Sequence, residues 1–167
     1  MGKLKALFQE CGQNCLTKTL RMRVVRPVYS REIIREDIPV YFTTNKFTSP
    51  QQVFEMFRDL MLETREQFLA LHLNGKNKIL SLDRVSVGSL NQSVVHPREV
   101  FKSACMVSAA AVILIHNHPS GDPNPSGEDV AITKRLKEAG ELIGIPVLDH
   151  IIIGDGTYVS FVEQGLL

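Results

Sequence analysis

Two short stretches constrain the fold most: EQFLALHL at residues 66–73 and AAVILI at residues 110–115. Each has the length of a β-strand; AAVILI is apolar throughout, and EQFLALHL is apolar from Phe68 to Leu73 except at His72. A strand with one wet face alternates apolar and polar residues, so a continuous run predicts a strand buried on both faces. A sheet containing such strands needs helices on both sides.

The rest of the chain supplies those layers. Ser49 followed by Pro50 is a helix start, N-cap then first helical position, and Val53, Phe54, Phe57, Leu60 and Met61 fall on one face of a helix ending near Thr64. NGKNK carries an Asn-Gly turn into ILSLDRVSVG, which makes a hairpin with EQFLALHL. HPREVFKSACMVSA opens a second helix at Pro97. SGEDVAITKRLKEAGELIG places Val130, Leu136 and Ala139 at helical spacing and stops at Gly140 or Gly144. IPVLDHIIIGDGTYVSFVEQG reads as a last hairpin with Gly-Asp-Gly at its tip. Helices alternate with strands, but two hairpins impose antiparallel neighbours. The expected class is therefore α/β (α+β): a mixed sheet between helices, in one compact domain beginning near Phe47 and running to residue 167.

Of the 167 residues, 44% are hydrophobic and 22% charged, as in an ordinary soluble protein. No apolar run approaches the roughly 20 residues of a membrane span, and MGKLKALFQECGQNC has the wrong flanks for a signal peptide, so a cytoplasmic location is expected. Cys11, Cys15 and Cys105 are too few for a disulfide framework. Cys11 and Cys15 have the spacing of half a zinc knuckle, without a nearby second pair to complete it. Residues 1–36 hold eight Lys or Arg against three acids, which makes 1–46 a basic N-terminal extension. Such an arm is either a solvated extension or a weak, nonspecific DNA contact.

The chemistry gathers in ILIHNHPSGDPNPSGEDVAIT, residues 113–133. Residues two apart on a strand face the same way, so His116 and His118 address one cavity at a strand's C-terminal end. Asp129 stands in the first turn of the next helix, across a loop long enough to bring it back. Two imidazoles and a carboxylate suit Zn²⁺, with the fourth tetrahedral position left for water. Zinc lowers the pKa of such a water to about 7 and so serves hydrolysis. A general base is then required. Glu66, at the head of the buried strand, is the better placed, and Glu99 in HPREV is the rival, although a helix's first turn gives a carboxylate an electrostatic reason of its own. A plainer account stands beside this one. Ser126 and Asp129 have the form of a capping box, the prolines stiffen a loop, and a histidine pair can bond to carbonyls. The two accounts are compatible.

The pattern His116-x-His118, seven residues, Ser126, two residues, Asp129 is similar to the H-x-H-x7-S-x2-D signature of JAMM metalloproteases, the catalytic members of the MPN (JAB) domain group. The words HPREVFKSA, HNHPSGDPNPS, LDHIIIG and YVSFVEQG resemble the bacterial RadC branch, over about residues 47–167. The resemblance implies a curved mixed sheet related to the cytidine deaminase architecture. It implies zinc on His116, His118 and Asp129, Ser126 near the bound water or the transition-state oxygen, and an upstream Glu as acid/base, matching Glu66 ahead of Glu99. Full-length RadC proteins carry an N-terminal helix-hairpin-helix region. Residues 1–46, with only Gly2 and Gly12, lack its glycine turns, which suggests a short form of the family.

The spacing excludes three look-alikes. HNH nucleases separate those residues widely, metallo-β-lactamases need Asp and His where Ser120 and Gly121 stand, and zinc deaminases need H-x-E with a downstream C-x-x-C. The expected function is a JAMM-type hydrolase of a peptide or isopeptide bond, using one zinc ion with its bound water. The alternatives are a DNA-associated accessory protein of repair or mobile elements, or a scaffold whose metal only stabilises the fold. His96 and Asp149 carry no assigned chemistry, and His150 and His72 are expected as hydrogen-bonded structural residues. The substrate and the oligomeric state are not encoded in any motif.

Overall fold

A computed structural model describes Phe47, residues 49–88 and residues 95–167. The basic extension over 1–46, its expected DNA contact and the Cys11/Cys15 pair lie outside the described residues.

Helix α1 (Pro50–Phe57) starts as expected, with extended Ser49 before Pro50, although the Ser49 side chain makes no capping bond. It does not continue to Thr64. After Phe57 the chain tightens into a 3-10 turn over Arg58–Leu62, closed by the Glu63 N–H on the Leu60 carbonyl. Leu60 and Met61 still pack on the core, while Leu62 turns out to solvent. Strand β1 (Gln67–Leu73) is buried at every position. A five-residue loop joins it to β2 (Ile79–Val87). The left-handed residue of that loop is Asn77, at φ 56°, and not Gly75; the Asn77 N–H closes on the Asn74 carbonyl at 2.9 Å.

Helix α2 (Pro97–Met106) leads into β3 (Ala111–Asn117), again buried throughout. Helix α3 (Gly127–Ile143) follows, then β4 (Val147–Ile153) and β5 (Tyr158–Ser160). The sheet order is β2-β1-β3-β4-β5, with β3 at the centre. Only β3 and β4 are parallel, joined through α3; the other neighbours are antiparallel. This is the mixed sheet expected from helices alternating with strands and two hairpins.

Strand alternation divides the core in two. Leu69, Leu71, Leu73, Ile113 and Ile115 pack with Val53, Phe54 and Phe57 of α1. Phe68, Ala70, Val112 and Leu114 pack with Phe101 of α2 and Ile132 and Leu136 of α3. Truncating any of the fully buried large residues, such as Phe68 or Leu114, would cost about 2–5 kcal/mol. On α3 the inward face is Asp129, Ile132, Thr133, Leu136 and Gly140. Val130, expected inside, is 37% exposed, because the polar Asp129 takes the inward position one residue earlier. Gly144, at φ 81°, ends the helix.

Two registers place the site. Phe68 of β1 lies opposite His116 of β3, so the antiparallel pairing brings Glu66, just before β1, beside the end of β3 that carries the histidines. Between β3 and β4 the register jumps from Val112 against Val147 to Ile113 against Asp149, which leaves Leu148 as an extra residue. This bulge resets the alternation of β4 and turns His150 onto the face of His116. No helix among the described residues is long and apolar enough to cross a membrane.

Candidate metal centre

His116 is fully buried on the last turnward position of β3 before Asn117, stacked against Phe68 at 5.9 Å between ring centroids. His118 lies one residue beyond the strand but continues the ladder, its N–H bonded to the Ile153 carbonyl at 2.9 Å. Asp129 reaches the pair from α3. Its Oδ1 is 3.3 Å from His116 Nε2, its Oδ2 is 3.4 Å from His118 Nε2, and the two Nε2 atoms are 2.9 Å apart. The capping box also forms: Asp129 N–H donates to Ser126 Oγ at 3.1 Å, while Ser126 N–H and Oγ–H both donate to Asp129 Oδ2 at 2.7 Å. One carboxylate thus caps the helix and faces the histidines.

The neighbours fix the tautomers. Thr133 Oγ1 donates to the Asp129 carbonyl at 2.6 Å and so accepts from His150 Nδ1, also at 2.6 Å. His150 Nε2 is then the acceptor for His116 Nδ1–H at 2.8 Å. His118 Nδ1 faces the Asp122 carbonyl at 2.7 Å and must donate to it. In their neutral forms both ligand candidates therefore carry the proton on Nδ1 and turn the Nε2 lone pair towards Asp129, and a second proton would sit on Nε2 and bond to that carboxylate.

The electrostatics differ between the two histidines. Burial holds His116 below the usual histidine range despite the opposing Asp129 carboxylate, so its imidazole is neutral. His118 is raised, first by its hydrogen bond to Asp129, against partial burial. Burial pushes Asp129 up, but the bonds from His116, His118 and Ser126 overcome it and hold the carboxyl well below its usual range. Two lone pairs and an anion converging in a buried place are mutually repulsive unless a proton or a metal ion lies among them. The three atoms fit one: ligand atoms around a tetrahedral zinc with bonds of about 2.0–2.1 Å are roughly 3.3 Å apart. Among the described residues, this is the group of three that could hold a metal ion.

A cavity of about 870 Å³ opens beside the group, and Glu66, His118, Ser126, Glu128 and Asp129 line it. The Glu66 carboxylate adds to the field that favours protonation of both His116 and His118. Glu99 is not among the lining residues. It lies on the surface of α2, bonded to Lys102 at 2.7 Å and to Arg98 at 3.4 Å. Cys105 is also on α2, free and exposed. His96 caps that helix, its Nδ1 accepting from Arg98 N–H at 3.2 Å. His72 sits between Ser81 and Ser103, bonded to each, as a structural histidine does. Asp149 is buried and satisfied by the His150 and Val162 N–H groups and the Ser160 hydroxyl. His150, expected as a hydrogen-bonded structural residue, is one: it bonds Thr133 and the ligand candidate His116. Thr133 and Asn117 were not singled out at all, since nothing in their local sequence marks them.

Fold and site together define a mixed α/β domain with a His-His-Asp group at the edge of an open cavity, an arrangement that could hold one metal ion. A profile of the RadC-like JAB domain matches residues 47–166, and the chain belongs to this family. It is 66% identical over 124 residues to a UPF0758 protein of Pelobacter propionicus, covering 74% of this chain and 54% of that one. A UPF0758 protein of Trichlorobacter lovleyi is 64% identical over 126 residues, at 75% and 55% coverage. The UPF0758 protein of Geobacter sulfurreducens is 60% identical over 178 aligned positions, covering 98% of this chain and 78% of that protein. The chain spans about half the length of the first two relatives.

Proposed function

We propose that the chain is a zinc-dependent hydrolase of the JAMM type, acting on a peptide or isopeptide bond. One observation carries this reading: the His116, His118 and Asp129 side chains offer ligand atoms all within 4.8 Å of one another, and two of the three, His118 and Asp129, line an open cavity together with Glu66. A metal that served only the fold would have no use for a carboxylate base or an accessible face.

His116, His118 and Asp129 would hold the ion, which when bound supplies Lewis acidity for a water and for the scissile carbonyl. Glu66 would take the proton from the attacking water and hand it to the leaving amine. Ser126 has its hydroxyl proton on Asp129 Oδ2, so its first task is to hold that carboxylate in place. Helping a developing oxyanion would require the hydroxyl to swing from Asp129 into the cavity that Ser126 lines. His150 and the Asp122 carbonyl would keep the two imidazoles in their ligand tautomers.

Metal analysis of the pure protein should give one zinc per chain, strongly reduced in His116→Ala and Asp129→Ala. Unchanged metal content in those variants would overturn the site. Glu66→Gln should keep the metal and slow cleavage of a fluorogenic isopeptide-linked peptide panel by about 10²–10⁴-fold. Full activity in that variant would put the base elsewhere.

The charge of residues 1–36 supports a second reading, a DNA-associated role in repair or mobile-element biology. A gel shift that weakens steeply with salt would support it, and no binding at low salt would exclude it.

A further inference from the structure

The middle residue of the HNH tripeptide is outside the ligand set, yet both ends of its amide are engaged. Asn117 ends β3 and is fully buried. Its Oδ1 accepts the Gln67 N–H at 2.8 Å. Its Nδ2 donates to the Arg65 carbonyl at 3.2 Å, with a longer contact to the Glu63 carbonyl at 3.5 Å. These partners bracket Glu66 on both sides in the chain.

That segment needs an external hold. The 3-10 turn ends at Leu62 and β1 begins at Gln67, so residues 63–66 belong to neither element. Beyond Asn117, the Glu66 carbonyl accepts the Gly88 N–H at 2.8 Å. Ordering a link that lies outside helix and strand costs conformational entropy, which specific bonds to its backbone must offset if the carboxylate is to keep one position. β3 ends on His116 and Asn117 and runs directly into His118, so the strand that places the histidines also places the Asn117 amide that bonds the residues on either side of Glu66. The position asks for one acceptor and two donors on a short planar group. Aspartate lacks the donors, and glutamine is one methylene too long.

We propose that Asn117 is the positioning residue that holds Glu66 against the metal-binding group. This rests on the reading of Glu66 as the base.

The test uses the full chain, ¹³C-labelled at the glutamate carboxyl carbons and titrated with zinc chloride. In the wild type, zinc should shift the Glu66 carboxyl signal more than those of glutamates outside the cavity, such as Glu163. Asn117→Ala should bind zinc with the same stoichiometry, lose that excess shift, and exchange the Gln67 amide faster. Asn117→Asp keeps the acceptor for Gln67 and loses both donors. It should lose part of the shift, and it carries the test if the alanine variant does not fold. A full Glu66 response in zinc-loaded Asn117→Asp and Asn117→Ala would overturn the proposal. Zinc bound to the wild type without any excess shift at Glu66 would instead sink the reading of Glu66, and this proposal with it.

Discussion

His150 shows how a residue without a catalytic part can set the chemistry of a site. Its two nitrogens relay orientation from the Thr133 hydroxyl to His116 Nδ1, and that relay presents the His116 Nε2 lone pair to the metal position. Removing such a partner typically costs about 10–100-fold in metal affinity. His150→Ala should therefore lower zinc affinity by about that factor in a competition titration with a chromophoric chelator. His150→Gln, which retains an acceptor and a donor, should lose less. Equal affinity in all three proteins would show that the tautomer is set by other means. At this scale the sequence was informative about ligands and silent about their partners. His116, His118 and Asp129 announce themselves by spacing within one strand, loop and helix. His150 lies 34 residues from His116 and reaches it only through the β3–β4 pairing.

At the scale of elements, the loop after His118 is held by the tip of the last hairpin. Asp155 N–H donates to the Gly121 carbonyl at 2.8 Å, and the backbone approaches so closely that a Cβ on Gly154 would lie 2.4 Å from that carbonyl oxygen and 2.7 Å from Pro123 Cδ. Both neighbours belong to the loop that carries the Asp122 carbonyl, the partner of His118. Gly154→Ala should push this loop away, costing roughly 1–3 kcal/mol in thermal unfolding followed by circular dichroism, and weakening zinc binding as well. Gly75→Ala is the control, since a Cβ there meets nothing within 4 Å. If Gly154→Ala is as mild as Gly75→Ala, the hairpin tip does not hold the loop. The helix starts at Pro50 and Pro97 and the capped start at Ser126 were legible, because caps and prolines act within one turn. The change of α1 into a 3-10 turn was not, since RDLML contains no helix breaker.

At the scale of the molecule, the site joins elements that are far apart in the chain: β3, α3, β4 and the link before β1. Metal binding should therefore stabilise the domain as a whole. Zinc at a thousand times its dissociation constant would contribute about 4 kcal/mol, a rise of roughly 10 °C in melting temperature. Asp129→Ala should abolish the rise. A wild-type melting temperature indifferent to both zinc and chelator would contradict a site built across the sheet and its helix.

The sequence by itself determined most of the elements and the candidate ligand set. The continuous apolar runs of β1 and β3 demand burial on both faces, and the H-x-H spacing with the Ser126–Asp129 box fixes a local geometry through bonds between near neighbours. Only the tertiary structure decided what surrounds the ligands. The antiparallel register of β1 on β3 set Glu66, and not Glu99, beside the candidate metal group. The extra residue at Leu148 turned His150 inward. Asn117 reached across 50 residues to hold the Gln67 backbone. The reason is one of range: periodicity and capping are written in energies between residues a few positions apart, whereas strand pairing and its bulges depend on how the whole sheet packs.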